Sequence, residues 1–182
     1  YALWAVQVFL VIGGYLTAKS LWAAMPQTSS EMFAKLGARY LRLVIPLLAA
    51  MSVAVAVTAL VRPYFDHSSL SQEPTGLQVI AHIFLLQDIL NLEAFSAGVW
   101  YVAIDFQLFA IAMIGLWLAH VWQGFSGQGS LIRKALSLWL MLTLCAMFVW
   151  NLNPSGDMWG LYFLGAYGLG LCVGAWRQAD MK

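Results

Sequence analysis

The stretch AFSAGVWYVAIDFQLFAIAMIGLWLA, residues 94–119, decides the fold class, because a helix that crosses a bilayer needs about 20 mainly apolar residues. Asp105 is the one charged side chain in this run. An ionisable group in the hydrocarbon region costs roughly 2.5–3.5 kcal/mol on insertion scales, so such a residue is by default interpreted as functional. The alternative is a carboxyl group that pairs with a neighbouring helix and only orients it.

The composition of the whole chain is that of an integral membrane protein. Of its 182 residues, 62% are hydrophobic and 9% are charged, whereas soluble domains carry about 25% charged residues. Nine Trp and seven Tyr suit aromatic rings at the headgroup level. The formal net charge of +1 does not suggest a nucleic-acid partner. The sequence therefore predicts a lipid bilayer as the surroundings and no nucleic acid as a ligand.

Five apolar stretches predict an all-α polytopic helix bundle with about five transmembrane helices, at 1–22, 43–61, 97–121, 131–150 and 159–176. No internal repeat or linker interrupts them, so we expect residues 1–182 to form a single membrane domain. The two cysteines, Cys145 and Cys172, lie in separate apolar stretches and indicate neither a disulfide framework nor a metal site. Glycines in the last stretch predict close helix packing.

The segment 77–92 is short and polar, and it carries Gln78, His82, Gln87, Asp88 and Asn91. These features predict a re-entrant segment or a short half-helix. If the segment enters the bilayer and returns to the same side, eight of the nine Lys and Arg residues lie on one side of the membrane and Arg62 lies on the other. If it spans the bilayer, four lie on one side and five on the other. The positive-inside bias favours re-entry, with the Tyr1 end outside and the Lys182 end in the cytoplasm.

Basic residues cluster before Pro46, between the first two predicted spans. Arg39 and Arg42 are three residues apart, so on a helical turn their guanidinium groups project from one face, and Lys35 extends that face. Paired guanidinium groups suit bidentate recognition of phosphate. The alternative is that these residues only fix the orientation of the helix or touch anionic lipid.

Four stretches together resemble the acyltransferase 3 family of membrane O-acyltransferases. Residues 9–16, FLVIGGYL, look like the family motif FFVISGFL, and 39–46, RYLRLVIP, look like its cytoplasmic R-x-x-R-L-x-x-P element. Residues 82–89, HIFLLQDI, are similar to its H-L-F-F-L-Q-N segment, and 100–109, WYVAIDFQLF, to its W-S-L-A-I-E-x-Q-F-Y helix. Relative to these motifs, Asp105 replaces Glu, Gly13 replaces Ser and Phe109 replaces Tyr. The carboxyl group of the motif is kept, and two hydroxyl groups are lost.

The resemblance implies a multi-pass enzyme of the bacterial cytoplasmic (inner) membrane. Such enzymes transfer an acyl group, often acetyl, from cytoplasmic acyl-CoA to a hydroxyl of a saccharide or glycolipid. The family domain has about ten helices, and this chain would correspond to roughly the second to sixth. The family's proposed catalytic His and an Arg lie on its first helix, which this chain lacks. We therefore expect the chain to be a fragment that needs the missing helices of the same domain as partners and is inactive alone.

Within this interpretation each candidate residue has a role and an alternative. Arg39, Arg42 and Lys35 would bind the phosphates of the acyl-CoA donor. Asp105 would support catalysis by pairing with or orienting the basic group or histidine of the missing helix. His82 is a candidate catalytic residue, with a structural histidine as the alternative. Four residues are expected along the substrate path: Trp100, Gln107, Gln78 and Asp88. The alternative for Trp100 is an interfacial anchor, and the alternative for Gln107 is an interhelical hydrogen bond. We expect no metal, because no metal-spaced His, Asp or Glu cluster is present.

Two other classes remain open at this point. In a transporter or channel-like subunit, Asp105, Gln107 and the polar segment 77–92 would line a permeation path. A non-catalytic membrane partner is the third possibility. The acyl group, the acceptor and the oligomeric state do not follow from the sequence.

Overall fold

A computed structural model of the chain describes residues 2–64, 75–95, 98–126 and 130–180, and in this part it contains helices and turns but no strand. The helices are α1 (Ala2–Ala23), α2 (Ser29–Val61), α3 (Gly76–Ile83), α4 (Val99–Ser126), α5 (Leu131–Phe148) and α6 (Gly160–Asp180). Two 3-10 turns, Trp150–Leu152 and Pro154–Gly156, connect α5 to α6. The predicted all-α fold class is confirmed.

Four described helical segments are long and apolar enough to cross a bilayer, namely Trp4–Ala23, Ser29–Val61, Val99–Phe125 and Leu131–Leu152, of which the last comprises α5 and the first 3-10 turn. They correspond to the first four predicted spans. The fifth predicted span is α6, whose 21 residues extend about 31 Å. It is not among the four, and its five glycines, which add almost no apolar surface, lower its hydropathy. Its crossing of the bilayer stays a prediction.

The second helix begins earlier than its apolar stretch. The predicted start at residue 43 is wrong, because α2 runs for 33 residues from Ser29. Thr28 Oγ1 accepts from Glu31 N at 3.2 Å, while Glu31 Oε2 accepts from Gln27 N at 2.9 Å. This exchange resembles a capping box, a sequence signal for a helix start. As a result Lys35, Arg39 and Arg42 lie within α2 itself, and Pro46 lies in its interior.

The chain divides into a larger unit, Tyr1–Leu36 with Gln107–Lys182, and a smaller unit, Gly37–Phe106. The division falls inside α2 and inside α4. The expected single membrane domain therefore stays a prediction. Each unit has its own buried side chains, and each is described by itself.

In the larger unit, glycines let α6 approach α1 closely. A Cβ atom at Gly14 would lie 1.9 Å from the carbonyl oxygen of Tyr167, and one at Gly170 would lie 2.0 Å from that of Val11. Neither position has room for a side chain. Beside these contacts, the buried hydroxyl groups of Tyr167 and Thr17 are joined by a hydrogen bond of 2.7 Å. The packing role predicted for the glycines of the last apolar stretch is confirmed at Gly170.

In the smaller unit, Val44, Leu85 and Ala103 form a buried cluster that joins α2, the segment after α3, and α4. The eight residues of α3 extend about 12 Å, too short to cross a bilayer. Leu85 and Asn91, with φ of 57° and 51°, turn the chain after α3. The short half-helix is confirmed, and its re-entry into the bilayer stays a prediction.

Candidate functional site

The smaller unit contains an ion pair between two residues that the sequence singled out. Arg39 on α2 and Asp105 on α4 approach to 2.7 Å between Nη2 and Oδ2. The side chains are 30% and 16% exposed, respectively. A guanidinium–carboxylate contact of this length is a charge-assisted hydrogen bond, which is stronger than a neutral one. The pair offsets part of the cost of placing either charge among apolar helices.

This pair joins residues that the sequence assigned to separate roles. Asp105 was expected to contact a basic group outside this chain, and Arg39 was expected to contact phosphate at the cytoplasmic end of its helix. A 2.7 Å contact instead requires both side chains to lie at one depth. Arg39 therefore acts first as the partner of Asp105. Arg42 is exposed and Lys35 is half-buried, so these two remain the better candidates for a phosphate.

Two tyrosines near the pair were not singled out by the sequence. Tyr101 lies one helical turn before Asp105, so the two side chains share a face of α4. Tyr40, which follows Arg39, donates from Oη to the carbonyl oxygen of Ile83 at 2.5 Å. Its ring also meets Phe106 edge-on at 5.7 Å. The i, i+4 spacing of Tyr101 and Asp105 was a usable signal, whereas the partner of Tyr40 depends on the course of the chain after α3.

His82 is completely buried and both of its ring nitrogens have partners. Nδ1 lies 2.7 Å from the carbonyl oxygen of Gln78, and Phe95 N donates to Nε2 at 3.4 Å. The hydrogen-bond network thus assigns the proton to Nδ1 of a neutral imidazole. The ring also stacks on Phe95, with centroids 4.4 Å apart. Of its two predicted roles, this geometry favours the structural one, because His82 ties α3 to the chain that returns beside it.

Two of the residues expected along a substrate path cap the starts of helices. Gln78 forms a capping box with Thr75 at the start of α3. Gln107 Oε1 accepts from Gly160 N, the first residue of α6, at 2.7 Å. Such contacts satisfy backbone N–H groups that a helix start leaves without intrahelical partners. These contacts occupy Oε1 of each carboxamide, and the contact of Gln107 with α6 is the interhelical hydrogen bond expected as its alternative role. The substrate-path role of both residues stays a prediction.

The other two residues expected along a substrate path, Trp100 and Asp88, contact residues next to them in the sequence. Trp100 meets Tyr101 edge-on, with ring centroids 5.9 Å apart. Asp88 Oδ2 accepts from Gln87 Nε2 at 2.8 Å. Gln87 is completely buried, which no pattern in the sequence predicts for a glutamine. In the described residues, no group of three or more His, Cys, Asp or Glu side chains has the arrangement of a metal site.

Comparison of this chain with protein-family models, curated proteins and solved structures finds no match. Its class therefore follows from the fold and the site themselves. The helices define a multi-pass helical membrane protein. Its distinguishing feature is a partly buried Arg39–Asp105 pair beside a short helix held by a buried histidine.

Proposed function

We propose that this chain is part of a membrane O-acyltransferase of the acyltransferase 3 type, in the bacterial cytoplasmic membrane. It would transfer an acyl group, most simply acetyl, from cytoplasmic acyl-CoA to a hydroxyl of a saccharide or glycolipid. The observation that carries the proposal is the 2.7 Å contact between Arg39 and Asp105. It joins two of the sequence stretches that resemble family motifs.

A third such stretch packs in the same unit. Residues 82–89 contribute Leu85 to the cluster with Val44 and Ala103, and Ile83 accepts the hydrogen bond from Tyr40. Three separate stretches of the sequence therefore meet within Gly37–Phe106. A set of residues that serves one reaction is expected to assemble in this way, which supports the proposal over an accidental similarity of short motifs.

The chemistry assigns Asp105 a supporting role. Acyl transfer to an alcohol needs a base for the hydroxyl proton, donors for the oxyanion and a dock for the thioester. Arg39 holds Oδ2 of Asp105, so Oδ1 is the oxygen that would accept from an imidazole on another helix. Asp105 would then orient that base, and Arg39 would position Asp105. Arg42 and Lys35 would bind the donor phosphates.

The permeation alternative draws less support from this geometry. A path lined by Asp105 and Gln107 needs their polar atoms to face a solvent-filled space. Asp105 is instead held by Arg39, and Gln107 is held by Gly160. Both contacts fix the side chains in place, which suits an oriented site better than a conducting one.

The test measures transfer of labelled acetyl from acetyl-CoA to envelope glycans in membranes that contain the native polypeptide. Asp105→Asn is expected to lower the rate at least tenfold, because the amide orients a neighbouring base poorly. Glu93→Gln is the matched control, since Glu93 is an exposed carboxylate in the same unit. Its rate should equal that of the wild type.

A structural role for the pair predicts a different outcome. Arg39→Gln combined with Asp105→Asn removes both charges, so the fold should recover relative to either single variant. If activity recovers with the fold, Asp105 only stabilises the protein and its supporting role is rejected. Equal activity of Asp105→Asn and wild type, with equal amounts of folded protein, also rejects the proposal.

A further inference from the structure

A cavity of about 310 Å³ lies at the connection between α5 and α6. Its lining residues lie between positions 149 and 162, so neither Arg39 nor Asp105 contributes to it. Three aromatic residues and one carboxamide contribute to its wall, namely Trp150, Trp159, Tyr162 and Asn153. Ligand pockets begin at about 300 Å³, so the volume suits a single small ring. We propose that this cavity binds one ring of a neutral saccharide.

The cavity wall is fixed by hydrogen bonds in the connection itself. Asn151 Nδ2 donates to the carbonyl oxygen of Tyr162 at 3.4 Å, which ties the first 3-10 turn to the first turn of α6. Trp159 N donates to the carbonyl oxygen of Gly156 at 3.0 Å. A site that is formed before the ligand arrives loses less conformational entropy on binding. The aromatic rings are therefore held on a defined frame.

Asn153 supplies the polar group that a sugar hydroxyl needs. Its Oδ1 accepts from Ser155 N at 3.2 Å and from Ser155 Oγ at 2.8 Å. These two contacts orient the carboxamide and occupy its oxygen. In the described part of the chain the Nδ2 group has no protein partner, and the residue is exposed. Nδ2 is therefore a donor that a ligand oxygen can accept from.

The residues that line the cavity distinguish between two kinds of ligand that bind aromatic side chains, a sugar ring and a quaternary ammonium group. The C–H face of a pyranose stacks on an aromatic ring while its hydroxyl edge reaches polar groups, and both elements are present here. A quaternary ammonium also binds aromatic faces. None of the residues that line this cavity is acidic, so the wall itself offers a cation no carboxylate. A neutral sugar ring is the better match.

Membrane-interface anchoring explains part of this pattern but not all of it. Trp159 is 45% exposed, as an interfacial tryptophan would be. Anchoring does not require three aromatic side chains to surround one cavity together with an oriented carboxamide. The positive-inside bias places this connection on the non-cytoplasmic side. That is the side where a saccharide acceptor is expected, and in this respect the proposal rests on the proposed function.

The test is saturation-transfer NMR on the native polypeptide in lipid nanodiscs without acyl-CoA. The probes are methyl β-D-glucopyranoside, N-acetylglucosamine and phosphocholine. We expect transfer to the ring C–H protons of at least one of the two sugars. Trp159→Ala should weaken binding about tenfold because one stacking surface is lost. Trp159→Phe should retain most of the signal, which keeps the test valid if the alanine variant folds poorly.

Trp176→Ala is the matched control, since Trp176 is 61% exposed and lies near the other end of α6. Sugar binding should be unchanged in this variant. The proposal is overturned by the absence of signal from both sugars, by equal loss in the Trp159→Ala and Trp176→Ala variants, or by a signal from phosphocholine alone.

The binding readout separates this proposal from the proposed function. Asp105→Asn should lose acetyl transfer and keep sugar binding. Acetyl transfer without sugar binding rejects only the cavity proposal. Sugar binding at Trp159 without any acetyl transfer rejects the acyltransferase function and leaves the saccharide site standing.

Discussion

In the larger unit α1 and α6 meet where glycines let their backbones approach closely, whereas in the smaller unit an ion pair joins α2 to α4. At Gly14 and Gly170 the missing side chain lets backbone approach backbone. At Arg39 and Asp105 two opposite charges from separate helices approach to 2.7 Å. In lipid, apolar burial does not drive helices together, so close packing and polar contacts must do so. The larger unit also contains polar contacts, such as the Tyr167–Thr17 hydrogen bond, but the close backbone approach at Gly14 and Gly170 distinguishes it, whereas the Arg39–Asp105 ion pair distinguishes the smaller unit.

The difference has a functional consequence. Glycine packing holds a shape without leaving chemically reactive groups, so it suits a scaffold. A charge pair that is only partly buried costs desolvation free energy and is a weak way to gain stability. Its presence in the smaller unit, together with Tyr101 and the helix held by His82, is consistent with the functional role proposed above. The predictions below test this contrast, beginning with the largest expected effect.

Gly14→Ala should destabilise the larger unit most. The added Cβ would lie 1.9 Å from the carbonyl oxygen of Tyr167, so α1 and α6 must separate. Overpacking of a close contact costs about 1–3 kcal/mol and occasionally more, and the upper end is expected for backbone against backbone. Thermal unfolding of the purified polypeptide in detergent measures the change.

Gly37→Ala is the control for that substitution. Gly37 lies in α2, and a Cβ there has no neighbour within 4 Å. Because alanine favours helix more than glycine does, the variant should be as stable as wild type or up to about 1 kcal/mol more stable. Equal melting temperatures for the two variants would show that glycine contacts do not hold the larger unit together.

Asp105→Asn should destabilise the smaller unit by a moderate amount. Removing one partner leaves the Arg39 guanidinium without its 2.7 Å contact. A fully buried pair would lose about 3–5 kcal/mol, and the partial exposure of both side chains reduces this to roughly 1–3 kcal/mol. A double-mutant cycle with Arg39→Gln, followed by urea unfolding in mixed micelles, measures the coupling. If the effects of the two substitutions on the free energy of unfolding simply add, the ion pair does not stabilise the protein and the prediction is wrong.

His82→Phe separates the structural role of His82 from a catalytic one. Phenylalanine keeps an aromatic ring to stack on Phe95 but leaves the Phe95 N–H, which donates to Nε2, without its partner. A buried donor without a partner costs about 1–3 kcal/mol. We expect lower protection of the Phe95 amide in hydrogen exchange, and acetyl transfer that falls only in proportion to folded protein. Complete loss of transfer with normal protection would make His82 catalytic.

Gln107→Ala should have the smallest effect of the series. It removes the 2.7 Å contact with Gly160 N, one of several backbone donors at the start of α6. Loss of a side-chain cap costs about 1 kcal/mol. Transfer rates per folded molecule should not change. A large rate loss would place Gln107 on the substrate path after all.

Some of these features could be predicted from the sequence and others could not. The polarity of 77–92 predicted a short half-helix, and the isolated charge of Asp105 predicted a special environment. The start of α2 was predictable from Thr28 and Glu31, but the charge-rich stretch before the apolar run concealed it. The capping contact of Gln107 with Gly160 spans 53 residues, so no local pattern predicts it.

The sequence by itself determined the class of this protein, because runs of about 20 apolar residues with few charges are stable as helices in a bilayer. It also determined which residues are chemically unusual, Asp105 above all. Only the tertiary structure decided which residues meet. The partner of Asp105 is Arg39, 66 positions earlier, and contacts at that separation depend on how the helices pack. For the same reason, the cavity between Trp150 and Tyr162 exists only once the turns between α5 and α6 have formed.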